Sequence, residues 1–320
     1  MRPQSGVLKV EISIIIVNWN GGDYLRHSLD SLAQYPPSVP YEVIVVDNNS
    51  TDNSRELLRS YKDVRLILNT ENVGFGRANN QAFKVSDAPL LFLLNSDAEV
   101  HENTLDTLIA TINESEKIGV VGPRLLNTDG TLQPSVWRNP PTAWEMIMIA
   151  FGLHKLLPKR QRGKRLLGYY WDHSHRLSAR MLSGAALLIK RKVLDHVGGF
   201  DERFHMYGED NEFALRVVRS GWLMLFEPKA TVTHHAAKST EKRWGKSGRL
   251  AKNYEGFFQL QRIHLSRSAA LANLLTGYGL ATLRQAWLTL RRRPREENRL
   301  VRRLYADELR RTLSVAKPTD

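Results

Sequence analysis

The chain of 320 residues has no cysteine, which excludes a disulfide framework and any thiolate metal site and suits a reducing cytoplasm. Its net charge is +13, yet residues 241–320 hold 18 Lys and Arg against 7 Asp and Glu, while the first 240 residues hold 28 against 26. A nucleic-acid-binding surface would spread that charge over a folded face or interleave it with aromatics, so no nucleic-acid partner is expected.

The opening "MRPQSGVLKVEISIIIVNWN" lacks the apolar core and small-residue cleavage site of a signal peptide. Within it, "ISIIIVNWN" (12–20) is a near-continuous β-branched run, the pattern of a strand buried on both faces. "DYLRHSLDSLAQY" follows with Leu25, Leu29 and Leu32 at helix spacing, then a second buried strand in "YEVIVVDNNS" (41–50) and a helix in "TDNSRELLRSYKD". "VRLILNT" predicts a third strand, "GRANNQAFKVS" a third helix and "PLLFLLNSD" a fourth strand. Strands alternating with helices predict a doubly wound, mostly parallel α/β sheet, whose ligands sit at the carboxyl ends of the strands. Polar residues gather at those ends: Asn18 and Asn20, Asp47 and Asn49, Asn72, then Asn95 and Asp97.

Residues 137–180 mix Trp, Pro and basic residues, including "KLLPKRQRGKR", and predict a long, partly helical excursion of lid or acceptor-loop type. Order returns in "MLSGAALLIKRKVLDHVGGFDERF", the helix "EDNEFALRVVRSGW" and one or two closing strands in "LMLFEPKATVTHH". From about residue 250 the chain reads as helical. "SAALANLLTGYGLATLRQAWLTL" (268–290) carries one charge, Arg284, and is followed by "RRRPREENRLVRRL". Its length would span a bilayer, but two Gly, several Ser and Thr, and Gln285 favour an interfacial amphipathic helix or helical hairpin, then soluble packing against the preceding domain, over a span. These features divide the chain into a domain at 1–245 and a basic helical tail at 246–320.

Chemistry concentrates at three places. Asp47 and Asn49 follow a buried strand, where a carboxylate can accept from a ribose or base, although Asp-Asn-Asn-Ser is also an ordinary turn cluster. Gly74 and Gly76 precede a helix whose backbone N–H groups could approach a diphosphate, but the spacing is not that of a dinucleotide fingerprint. In "PLLFLLNSDAEV" (89–100) an apolar strand delivers Asp97, either as a ligand for a hard divalent cation or, with Ser96, as the cap of a helix starting near Glu99. His234 or His235, ending the last strand, could complete a metal shell. Finally, Glu209 and Asp210 head a helix behind a Gly-rich aromatic loop, where a carboxylate can take the proton of an attacking hydroxyl.

In order, "SIIIVNWNG", "VIVVDNNSTDNS", "NVGFGRANNQA", "LLNSDAEV", "GAALLIKRKVLDHVGGFDERFHMYGEDNEFALRVVRSGW" and "VTHHAAKS" together resemble the family 2 glycosyltransferases, GT-A fold, in the rhamnosyltransferase-like branch. The resemblance covers roughly residues 10–240. It implies inverting transfer from a nucleotide-diphosphate sugar to an acceptor hydroxyl. Asp47 would hold the nucleoside with Asn18, Asn20 and Asn49 nearby, and Asn72, Gly74 and Asn79 would line the nucleotide side. Ser96 and Gly184 join that donor-binding set. Asp97 matches the last Asp of the family's DxD motif and would bind Mg²⁺ or Mn²⁺, while Asn95 stands in place of its first Asp. His234 keeps the spacing to Ser239 of the family's metal-ligating His better than His235. Asp210 matches the catalytic base, with Glu209 shaping the acceptor side.

The resemblance further implies work at the cytoplasmic membrane face on polyprenyl-diphosphate-linked glycans for a cell-surface polysaccharide, with dTDP-rhamnose as the expected donor. A tail with an apolar helical face and an Arg surplus suits an anionic leaflet, and a homo-oligomer contact is the competing use of those helices. A UDP-hexose or galactofuranose donor is the alternative within the fold. A non-catalytic nucleotide- or carbohydrate-binding relative is the alternative outside catalysis, and the presence of both Asp97 and Asp210 argues against it.

Overall fold

The computed structural model describes residues 9–137, 142–157, 171–235 and 238–314. They form two compact units. Of the described residues, the first holds 9–137, 172–205, 209–235 and 238–239, and the second 142–157, 171, 206–208 and 240–314. Of the excursion expected at 137–180, residues 142–157 group with the tail helices, whereas residues 172–180 belong to the first unit and supply a strand of its sheet.

In the first unit, β1 (Ile12–Asn18), β2 (Tyr41–Asp47), β3 (Val64–Leu68) and β4 (Leu90–Asn95) run parallel in the order β3-β2-β1-β4. Register matters more than order. Asn18 pairs with Asp47, Asp47 with Leu68 and Val17 with Asn95, so β1, β2 and β4 each end in a polar residue at the same edge. β11 (Ala186–Lys190) lies antiparallel to β4 and to β6 (Ile118–Leu126), and β12 (Leu223–His234) runs parallel to β6. Among the long strands only β11 runs against the rest, as a mostly parallel sheet requires. The short strands β7 (Leu132–Gln133) and β9 (Leu177–Ala179) pair with β6 and β12, while β8 (Val136–Trp137) and β10 (Met181–Leu182) form a separate two-stranded sheet.

After β4 the chain turns through Ser96 and Asp97 into β5 (Ala98–Val100), which pairs antiparallel with the end of β12. No helix begins near Glu99; the next, α4 (Thr104–Asn113), starts later. The helix-cap explanation of Ser96 and Asp97 is thereby removed. The three residues of β5 matter because they set His234 opposite Ala98, beside Asp97.

Helices cover both faces. α1 (Asp23–Gln34) and α2 (Ser54–Ser60) join α4 in burying Leu25, Leu29, Leu32, Leu58, Leu105 and Leu108 against alternate sheet residues such as Ile12, Ile14 and Ile16. The opposite residues of the same strands, Ile15 and Ile44 among them, are equally buried, so the strands read apolar on both faces. α3 (Phe75–Val85) packs on β1 and β2, α6 (Arg191–Val197) on β11 and α7 (Glu209–Arg219) on β12.

One ion pair fastens β12, its carboxylate buried and its arginine side chain 39% exposed. Glu227 is almost wholly buried and takes Nε of Arg176 at 2.6 Å, while Arg176 Nη1 binds Glu114 at 2.7 Å. Arg176→Met leaves that carboxylate, among the described residues, with only Lys229 N and Thr111 Oγ1 as donors and is expected to cost about 1–3 kcal/mol. Arg176→Met with Glu227→Gln should restore most of the loss in thermal unfolding; a double variant as unstable as the single one would show the pair is not the cause.

The second unit contains α5 (Ala143–Ala150) with a 3₁₀ turn at Leu153–Leu156, then α8 (Lys238–His264, broken at Gly245 with φ 63°), α9 (Arg267–Leu290) and α10 (Glu296–Ser314). Phe258, Leu274, Tyr305 and Leu309 form its core, with Met146 of α5 packed against them. Gly277 is needed there, since a Cβ would lie 2.2 Å from the Tyr305 ring. Most of "KLLPKRQRGKR" lies outside the described residues, as does the side chain of Ser239. Among the described residues no helix is long and apolar enough to cross a membrane.

Candidate active site

The parallel register brings the donor-side candidates together as one network. Asn18 Nδ2 donates to Asp47 Oδ2 and to Ser50 Oγ, each at 3.1 Å. Asp47 Oδ1 accepts from Ser50 N at 3.0 Å and from Arg55 Nε at 2.6 Å. Asn20 Oδ1 accepts from Thr51 N at 2.7 Å, and both Asn20 and Asn49 sit at positive φ, 53° and 64°. Asp47 is fully buried, with both oxygens engaged. Its carboxylate organises the loop, and half-buried Asn20, Asn49 and the Arg55 guanidinium form the loop's accessible side. Arg55 had no signal in the sequence, since an Arg one turn into a helix is ordinary until Asp47 is seen beneath it.

The Gly74 loop is tied to the segment that precedes Glu209. Gly74 N donates to Asn72 Oδ1 at 3.0 Å and Phe75 N to the His205 carbonyl at 3.2 Å, so neither amide is left to approach a diphosphate. Gly74 (φ 89°) is required instead because a Cβ would lie 2.4 Å from the His205 oxygen. Asn79 is buried, with Nδ2 on the Phe75 carbonyl at 2.9 Å, and does not line an open surface. The loop's role is to dock the stretch leading into Glu209.

Beyond β4, Asp97 Oδ1 meets His234 Nε2 at 3.2 Å, and Asn95 Nδ2 lies 3.2 Å from the same nitrogen. Ser96 is buried between them. The tautomer of His234 follows from its other nitrogen. Nδ1 lies 2.6 Å from Gln133 Oε1, while Gln133 Nε2 donates to Asn127 Oδ1 and to the His234 carbonyl. Gln133 thus accepts from Nδ1–H, leaving Nε2 to face the carboxylate. Satisfying Asp97 then requires a proton on Nε2 or a cation in its place. A carboxylate and an oriented imidazole converging in this way fit a divalent ion. Burial raises the Asp97 carboxyl, but the His234 hydrogen bond and charge outweigh it, leaving it below the ordinary aspartate range. His235 turns the other way: its amide holds the Asp97 carbonyl at 2.9 Å, and its Nε2 meets Glu99 at 2.5 Å, with His27 beyond. Gln133 escaped the sequence reading because it lies 101 residues from the histidine it orients.

Asp210 reaches the same edge through β11. Its Oδ2 accepts from Gly184 N at 3.1 Å and its Oδ1 from Asn211 N at 2.8 Å. The next residue, Ala185, accepts from Asn95 N at 2.9 Å, two residues before Asp97. Gly184 permits the approach, because a Cβ there would stand 3.1 Å from that of Asp210. Glu209 is buried, and its Oε2 has no hydrogen-bond partner among the described residues.

Burial raises both carboxyls of this pair, and the charge of Asp210 pushes Glu209 further, to about 8. The two backbone amides on Asp210 favour its charged form. At neutral pH Asp210 therefore holds the charge and Glu209 the proton. A folded-state pKa raised above 4.5 supports folding below the unfolded value and withdraws that support as pH climbs toward 8. Glu209→Gln should accordingly match the wild type in thermal stability at about pH 5 and exceed it at about pH 8.5, by on the order of 3 kcal/mol. Parallel pH–stability curves would remove the buried-acid assignment.

Comparison with known proteins gives the family and the fold. The family model described as Glycosyl transferase family 2 matches residues 13–198, and that of Glycosyl transferase family 21 matches residues 169–291. The chain is 30% identical over 244 residues to the N-acetylglucosaminyl-diphospho-decaprenol L-rhamnosyltransferase of Mycobacterium tuberculosis, covering 72% of this chain and 77% of that one. It is 31% identical over 235 residues to the O-antigen biosynthesis protein RfbC of Myxococcus xanthus, covering 72% of this chain but 18% of that protein. A mannosyltransferase from Pyrobaculum calidifontis, solved with GDP-Man and Mn²⁺, superposes with a TM-score of 0.55 at 16% identity, over 98% of this chain and 77% of its own. The chain belongs to the family 2 glycosyltransferases and has the GT-A fold.

Proposed function

We propose that this glycosyltransferase moves rhamnose from dTDP-rhamnose onto a polyprenyl-diphosphate-linked glycan, with inversion, at the cytoplasmic face of the membrane in cell-surface polysaccharide synthesis. The observation that carries the catalytic reading is the arrangement at one sheet edge. Asp97 and His234 converge after β4, and Asp210 is tied by Gly184 to the residue that binds Asn95. The choice of sugar and acceptor is supported by the name of the mycobacterial relative.

Asp210 takes the proton of the acceptor hydroxyl as the hydroxyl oxygen forms its bond to the anomeric carbon and the nucleoside diphosphate departs. One displacement without a covalent sugar–enzyme intermediate inverts the anomeric centre. The Gly184 and Asn211 amides hold the carboxylate in orientation, and neutral Glu209 spares it a second negative neighbour. Asp97 and His234 would hold Mg²⁺ or Mn²⁺, which when bound neutralises charge on the departing diphosphate. Asn18, Asp47 and Arg55 shape the nucleoside loop, with Asn20 and Asn49 at its open side.

Calorimetric titration with dTDP, UDP and GDP, each with Mn²⁺ and with EDTA, tests the reading. Metal-dependent binding of dTDP, at least about tenfold tighter than UDP, is expected; tenfold corresponds to about 1.4 kcal/mol. A preference for UDP replaces rhamnose by a UDP-linked donor, and binding of none removes donor-dependent transfer altogether.

A further inference from the structure

Helix α9 presents its apolar residues in two opposite stripes. One stripe, Ala270, Leu274, Gly277, Ala281 and Leu288, is buried in the helical unit. The other faces outward: Leu275, Leu283, Trp287 and Leu290 are 55%, 59%, 54% and 83% exposed, with Gly279 and Ala286 exposed between them. These positions recur every three or four residues, so they share one face along a helix about 36 Å long. A surface helix ordinarily turns polar residues outward, and a contiguous apolar face marks a contact surface. Exposed Arg291, Arg292 and Arg293 follow directly, and α9 contains no Asp or Glu. The helix that packs on it, α5, exposes Trp144, and Phe151 and Leu156 just beyond are exposed as well.

We propose that this face of α9 lies in the plane of an anionic lipid leaflet, Leu275, Leu283, Trp287 and Leu290 entering the acyl boundary and Arg291–Arg293 meeting phosphate headgroups. The charges choose the occupant. A second copy packed face to face in parallel would set arginine clusters against each other, and in antiparallel it would set them against Arg267, with no carboxylate on either helix to relieve them. Anionic headgroups do relieve them, and an indole at the boundary suits the polar–apolar interface. The inference deepens the lipid-linked acceptor reading, which it rests on for its purpose, by fixing which surface would carry the enzyme to that acceptor.

Because the chain has no cysteine, single cysteines place a polarity-sensitive fluorophore cleanly. Labels at Leu275→Cys, Leu283→Cys and Leu290→Cys in the full chain should shift to the blue on adding equimolar phosphatidylglycerol–phosphatidylcholine vesicles, and a label at Lys62→Cys should not. In vesicle flotation, Arg291→Gln, Arg292→Gln and Arg293→Gln together should weaken binding about 100-fold, at about fivefold per basic residue. Leu283→Glu with Trp287→Glu should weaken it more than tenfold while Mn²⁺-dependent nucleotide binding persists. Unshifted labels, or flotation of both variants like the wild type, overturns the proposal. So does a lipid-free dimer in light scattering that Leu283→Glu with Trp287→Glu disperses, since it makes the face a self-contact. The nucleotide titration reads no lipid, so failure of the catalytic reading registers there and not here.

Discussion

Replacing Asp210 by Asn is expected to lower transfer about 10³-fold while nucleotide binding with Mn²⁺ stays within about twofold. The substitution preserves shape and removes the ability to take a proton. Both carboxylate oxygens accept a backbone amide, from Gly184 and from Asn211, whereas an amide side chain offers one acceptor. A cost of about 1 kcal/mol in stability follows from the amide that loses its partner. That cost is small beside the barrier change of about 4 kcal/mol, so activity and unfolding separate cleanly. The pH profile adds a second reading. Burial raises Asp210, so wild-type transfer should rise with pH through a value above the ordinary aspartate range. Transfer by Asp210→Asn at the wild-type rate would sink the base assignment.

Much of this fold could be read from the chain because parallel sheets write themselves in simple patterns. "ISIIIVNWN", "YEVIVVDNNS" and "PLLFLLNSD" are apolar on both faces and break at polar residues, and the structure ends β1, β2 and β4 at those breaks. Parallel register then converts three separate breaks into one edge, which is why Asn18, Asp47 and Asn95 were legible as neighbours. What was not legible depended on contacts between distant segments. The antiparallel entry of β11 brings Gly184 under Asp210, and nothing in "SGAALLIK" announces it. Nor does the chain show that the His205 carbonyl approaches Gly74 too closely for any side chain there. That Asp47 is held by Arg55 and Ser50 on Oδ1 and by Asn18 on Oδ2 was equally invisible in the chain. The tail's composition suggested an amphipathic helix, but which residues face outward depended on Tyr305 filling the space at Gly277.

Asp97→Ala should abolish the metal-dependent part of nucleotide binding, at least about 100-fold in Kd with Mn²⁺ present, and should change little in EDTA. The effect depends on His234. With Nδ1 fixed by Gln133, the imidazole can offer Nε2 only toward Asp97, and an imidazole by itself is a poor site for Mg²⁺ or Mn²⁺, which favour oxygen. Gln133→Leu should therefore give an intermediate result, about tenfold weaker, since it leaves both ligands in place and frees the ring to turn. Stability should move less than binding. Asp97 is buried, and deleting a buried carboxylate also deletes its desolvation cost, so the lost contact with His234 is partly offset. The ordering of wild type, Gln133→Leu and Asp97→Ala in Mn²⁺, collapsing to a common value in EDTA, distinguishes a metal site from an ordinary ion pair. An ordinary ion pair would give the same three affinities with and without the chelator, and Asp97 would then serve only to hold β5 against β12.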